Sequence, residues 1–181
     1  MELNPEALSI ANQLDAERHA GKVRSPLHGI PFTMKDNIGT NDNMETTAGS
    51  WALVGSIVPR DAHVVSQLKA AGAVPFGKAG LSEWADMRSN NYSEGYSARG
   101  GQVRSAYNFT VNPGGSSSGS AVGVAANAIA VSIGTETDGS GKAQSLSCIH
   151  DADLNVIVIN PAERNALVGF KPSVGLTSRA G

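Results

Sequence analysis

Residues 114–120 read Gly-Gly-Ser-Ser-Ser-Gly-Ser and run without a spacer into Ala-Val-Gly-Val-Ala-Ala-Asn-Ala-Ile-Ala. This junction constrains the fold more than any other stretch. A flexible glycine–serine linker has no reason to adjoin a proline-free run of small apolar residues. A glycine-bearing turn that feeds a buried helix of about three turns accounts for both halves. Small side chains at 121–130 let such a helix approach its neighbours closely. The turn before it offers hydroxyls and unpaired backbone N–H groups at the helix N-terminus.

The rest of the chain has a helix-and-strand rhythm. Asn4-Pro5 reads as a helix start, with Leu8, Ala11, Leu14 and Arg18 at helical spacing and Gly21 as the stop. The apolar stretch Ile30 to Met34 suits a buried strand that carries Lys35 at its end. A second helix is expected from about Asp61 to Ala71, with Ala62, Val65 and Leu68 inward and Gly72 ending it. Ala73-Val-Pro-Phe-Gly-Lys78 follows as a strand, and Val131-Ser-Ile-Gly134 as another. Residues 85–113 are polar and glycine-rich without a period, which reads as a long ordered loop. Helices alternating with strands predict an α/β fold.

Composition excludes several classes. The 181 residues carry a net charge of −2 with both signs interspersed, and no basic run or aromatic–basic pattern marks a nucleic-acid surface. No apolar run approaches the roughly 20 residues that span a bilayer. The first twenty positions hold Glu2, Glu6, Asp15 and Glu17, which does not fit a secretory leader. The compartment stays open, with the cytoplasm favoured. The single cysteine, Cys148, rules out an internal disulfide. His19, His28, His63 and His150 show no metal-ligand spacing, so a zinc site is not expected. Two glycosylation triplets, at Asn91 and Asn108, matter only in a secreted chain.

The glycine turn is not a phosphate loop. That motif needs a lysine directly after its last glycine, and Gly119 is followed by Ser120. What remains is serine beside glycine, twice: Ser116 to Ser118, and Ser140 in Thr-Glu-Thr-Asp-Gly-Ser. A serine nucleophile needs a base, and without a well-placed histidine that base is a lysine kept neutral by burial. Lys35, behind Ile30, Phe32 and Met34, fits this, and Lys78, behind Pro75-Phe76, competes with it.

Six segments in order, PLHGIPFTMKDNI, TTAGS, DAHVVSQLKAAGAVPFGKAGLSEWA, PGGSSSGSAVGVAA, GTETDGS and NALVGFKPSVGLTSRAG, together resemble the amidase signature family. The resemblance covers nearly the whole chain except 141 to about 157. It implies part of that family's α/β fold, a mixed central sheet wrapped by helices. It also implies a Ser–cis-Ser–Lys triad that hydrolyses a small-molecule amide through an acyl-serine, with no metal or organic cofactor. On this sequence Ser140 matches the nucleophile, Ser116 the middle serine that follows a cis peptide bond, and Lys35 the base. The interval from Ser116 to Ser140 agrees with the family's. The backbone N–H groups of Thr137, Asp138, Gly139 and Ser140 would hold the oxyanion. Ser117 and Ser118 are expected to satisfy nearby backbone groups.

The resemblance leaves two further readings open: an amidotransferase A-type subunit that releases ammonia from glutamine, and a non-catalytic truncated homologue. Oligomeric state is not legible. Gly80 stands where the family usually has asparagine, and Asp138 where many members have glycine. The family domain is expected to extend beyond both ends of the chain. Residues 141–157 read as an insertion, since joining Ser140 to Val158 would restore the family spacing before Pro161. Gly141-Lys142 and Ile157-Val158 can be encoded with intron-boundary GTAAG and AG, so a translated eukaryotic intron is the expected source, with a genuine surface insertion as the alternative.

Overall fold

A computed structural model describes residues 1–136 and 159–181, apart from positions 88, 90, 174 and 179. Thr137, Asp138, Gly139, Ser140 and the whole 141–157 segment therefore lie outside the described residues.

The centre of the molecule is a four-stranded sheet. Strands β1 (Glu2–Leu3), β2 (Pro31–Lys35), β3 (Val74–Ala79) and β6 (Val131–Ile133) lie in the order β1-β3-β2-β6. Strand β2 is parallel to both β3 and β6, and β1 closes the β3 edge antiparallel, which makes the sheet mixed. Paired on both edges, β2 buries Phe32, Met34 and Lys35 and leaves Pro31 and Thr33 half-buried. Phe32 and Met34 are fully buried, and they pack with Ile38, Val65, Ala73 and Ile133.

Helices α1 (Ala7–His19), α2 (His63–Ala70) and α3 (Ser118–Ala125) pack on this sheet. Helix α2 forms as its spacing predicts, with Ala62 and Val65 buried and Leu68 packed against the core. Helix α1 starts two residues after Pro5. Asn4 caps the turn before it by accepting from the Glu6 N–H at 2.9 Å, and donates its own amide to the Pro75 carbonyl at 2.8 Å. Leu14 is buried, but Leu8 is 74% exposed, so helical spacing alone overstates the inward stripe.

Helix α3 corrects the expected span at both ends. It begins at Ser118, taking the last serine of the turn into its first turn. It stops after Ala125 because Asn127 adopts a left-handed φ of 55°, and residues 127–130 lead back into β6 instead. A short helix α4 (Ile159–Arg164) packs against α3, and Asn165 beyond it donates to the carbonyls of Pro113 and Pro161, both at 2.8 Å. Within the loop 85–113 lies a small hairpin, β4 (Tyr96–Ser97) with β5 (Gly101–Gln102). No described helix is long and apolar enough to cross a membrane.

Candidate active site

The parallel strands β2, β3 and β6 end on the same side, where open α/β sheets place their chemistry. Lys35 is the last residue of β2, and the serine turn crosses directly opposite it. The Lys35 ammonium nitrogen donates to Ser116 Oγ at 2.7 Å and to the Thr135 carbonyl at 3.1 Å. The Gly115–Ser116 peptide bond is cis. Ser116 is 1% exposed and Lys35 fully buried.

Several contacts hold the turn in place. Ser116 accepts at its carbonyl from the Ser82 N–H at 3.0 Å. The Ser117 hydroxyl donates to the Thr135 carbonyl at 3.1 Å and accepts the Thr135 N–H at 3.3 Å. The Ser118 hydroxyl donates to the Gly114 carbonyl, and Ser120 to the Ile133 carbonyl at 3.0 Å. The expected backbone-satisfying roles of Ser117 and Ser118 are thus seen in the structure.

Close approach of backbone requires glycine at position 119, and side-chain ends crowd position 115. A Cβ on Gly115 would lie 1.8 Å from Glu94 Oε2 and 2.7 Å from Ser82 Oγ. A Cβ on Gly119 would lie 2.4 Å from the Gly80 nitrogen, and the Gly119 N–H donates to the Gly80 carbonyl at 2.9 Å. Backbone-to-backbone packing of α3 on the end of β3 is what Gly119 permits. Position 80, where the family usually has asparagine, is held so tightly that a Cβ there would meet Val103 at 3.0 Å.

Burial sets the electrostatics. Desolvation disfavours the charged ammonium and pulls Lys35 down to about 7, against the opposing pull of Asp86, Glu136 and Glu94. A lysine in that range spends part of its time neutral at physiological pH, as a general base must. The competing lysine, Lys78, is also buried and pulled down to about 8 by desolvation. Its ammonium donates to the Ile38 carbonyl and to Thr46 Oγ1 at 3.0 Å; neither partner is a serine of the glycine turn.

Lys35 and Ser116, both read from the sequence, are thus brought together, while Ser140 and the oxyanion residues lie outside the described part. Sequence reasoning missed Thr135, whose carbonyl joins Lys35 to Ser117, and Asn37, whose amide donates to Thr135 Oγ1 at 3.1 Å. It also missed Ser82, Asp86 and Glu94. Thr135 and Ser82 sit inside quoted motifs, and that was their only available signal. Among the described residues no group of three His, Cys, Asp or Glu side chains could hold a metal ion.

Comparison with known proteins follows the same geometry. The amidase family model matches residues 1–144. A relative from Schizosaccharomyces pombe that carries the name amidase is 63% identical over all of this chain, which covers 28% of that protein. One from Arabidopsis thaliana, also named as an amidase, is 51% identical over all of the chain and 32% of its own length. The crystal structure of native peptide amidase from Stenotrophomonas maltophilia superposes with a TM-score of 0.85 and 52% identity, covering 99% of this chain and 33% of that one. The chain therefore spans about a third of the length of the relatives it matches.

Proposed function

The chain belongs to the amidase family, and from that membership we propose that it is the part of an amide hydrolase that carries the catalytic serines and lysine. The observation that carries the reading is the 2.7 Å hydrogen bond between a fully buried lysine and Ser116, directly after the cis peptide bond.

In the proposed sequence, neutral Lys35 draws the hydroxyl proton of Ser116 as Ser116 takes that of Ser140. Ser140 Oγ then attacks the amide carbon, and the oxyanion is held by the backbone N–H groups of 137–140. Collapse breaks the carbon–nitrogen bond, and the proton returns through Ser116 to the departing amine. Water, deprotonated along the same path, releases the carboxylate. No cofactor enters. The substrate is a small-molecule amide, and the names carried by the 63% and 51% relatives favour a stand-alone amidase over an amidotransferase subunit.

We further propose that the 141–157 segment, inserted next to the nucleophile, depresses this reaction. A misplacement of about 1 Å at a reacting centre costs on the order of 10²-fold. A fluorophosphonate probe tests both statements. Wild-type chain should label at Ser140, Ser140→Ala should not, and deletion of 141–157 should raise the labelling rate by about that factor. Labelling that survives Ser140→Ala would refute the assignment. A deletion variant that folds yet labels no faster would refute the role of the insertion.

A further inference from the structure

Trp84, Ala85 and Asp86 hold positive φ values of 55°, 51° and 71° in succession. Non-glycine residues keep that conformation only where their surroundings impose it. Here the turn is pinned at several points. The Ser82 N–H is bonded to the Ser116 carbonyl at 3.0 Å, Trp84 N–H to the Ala48 carbonyl at 2.9 Å, and Ala85 N–H to the Ser82 carbonyl at 2.9 Å. The result is a carboxylate whose two oxygens are both buried, with no geometric hydrogen-bond partner among the described residues. The Ser82 hydroxyl favours its charged form. Burying a carboxylate with so few donors is costly, and a nearby cation offsets that cost.

The site has a matching need. When Lys35 carries the nucleophile's proton it becomes a buried cation, and its described hydrogen bonds go only to a hydroxyl and a carbonyl. We propose that Asp86 is a positioning residue that acts as the counter-charge of protonated Lys35; this rests on the proton relay proposed above.

Asp86 gives the largest of the acidic contributions that hold Lys35 up against desolvation; burial raises the Asp86 carboxyl above its usual range, and the Ser82 hydroxyl and the Lys35 charge pull it back down. The other charged groups around Lys35 are engaged elsewhere. Glu136, after β6, accepts the Ile159 N–H at 3.1 Å and pairs with Lys171 at 3.8 Å. Glu94 packs over Gly115 and accepts from the Ser82 hydroxyl at 3.5 Å. Asp36 accepts from Thr47 and from the Gly49 N–H, and Lys78 donates to Ile38 and Thr46.

A lysine-detected NMR titration of the full chain tests the pairing, with the Lys35 side-chain resonance assigned by Lys35→Arg. Asp86→Asn should lower the Lys35 midpoint by about one pH unit, the low end of what a neighbouring opposite charge does. Asp86→Glu should restore most of it, and Asp15→Asn, on the exposed face of α1, should leave it unchanged. A midpoint that stays or rises in Asp86→Asn overturns the proposal. If that variant loses its dispersed spectrum, the wild-type Asp86 carboxyl resonance decides: it must show a second inflection at the Lys35 midpoint, and a single inflection overturns the pairing. The titration needs no turnover. An unreactive chain with a coupled pair would therefore break the hydrolase reading alone, and a reactive chain with an uncoupled pair would break this one alone.

Discussion

Lys35 and Lys78 stand on neighbouring parallel strands, both buried and both pulled by desolvation toward neutrality, to about 7 and about 8. Only their partners differ. Lys35 reaches Ser116 Oγ; Lys78 reaches the Ile38 carbonyl and the Thr46 hydroxyl, with Asp36 as its strongest opposing charge. One lysine faces a hydroxyl that can pass a proton onward, and the other ties the loop after β2 to β3. A depressed pKa therefore marks burial, and the group at the other end of the hydrogen bond marks function.

Substituting each lysine should separate the two roles. Lys35→Met should reduce fluorophosphonate labelling by about 10²- to 10⁴-fold, the usual contribution of a general base, in protein that still folds. Lys78→Met should leave the labelling rate per folded molecule near that of wild type. Equal rate losses in the two variants would erase the distinction.

Gly119→Ala comes next in size. The added methyl would collide with the Gly80 backbone, whose nitrogen, oxygen and Cα lie 2.4, 2.5 and 2.9 Å away, three residues after Ser116. Overpacking of this kind costs about 1–3 kcal/mol, and any relief shifts Ser116 relative to Lys35. We expect labelling to fall by about 10²-fold. Gly123→Ala, whose nearest neighbour would be Ile129 at 3.7 Å, should leave labelling unchanged and raise stability by about 0.5–1 kcal/mol. Lys78→Met should in turn lower the unfolding free energy by about 1–3 kcal/mol, because the Ile38 carbonyl loses a donor. Urea titration with circular dichroism reads both.

The sequence made one half of this comparison legible and hid the other. Strands β2 and β3 and helix α2 follow from apolar runs and helical spacing, since local pattern and burial agree there. The serine turn announced itself by its abrupt junction with small apolar residues. Helix α3 ran short of its pattern because Asn127 turns left-handed, an outcome that local propensity barely encodes. The left-handed turn at Trp84 to Asp86 could not be read at all. It depends on the Ser116 and Ala48 carbonyls, both more than thirty positions away in sequence. For the same reason burial alone left Lys35 and Lys78 tied until the fold supplied their partners.

The smallest effect discriminates best, because one lysine dominates the change in one pH window. Both lysines titrate lower in the folded chain than at the ordinary value of 10.5. Between the folded and unfolded values the unfolded chain binds the extra proton, so stability rises with pH. From about pH 7 to about pH 8 most of that rise comes from Lys35, with a smaller share from Lys78 that grows toward higher pH. One proton over one pH unit is worth at most about 1.4 kcal/mol. Urea unfolding at pH 7, 7.5 and 8 should therefore show a rise of roughly this size or less in wild type and in Lys78→Met, and a clearly shallower one in Lys35→Met. The opposite pattern, with the rise lost in Lys78→Met and kept in Lys35→Met, would mean that the lower-titrating lysine is the one on β3. The serine would then be facing a lysine that stays charged at neutral pH.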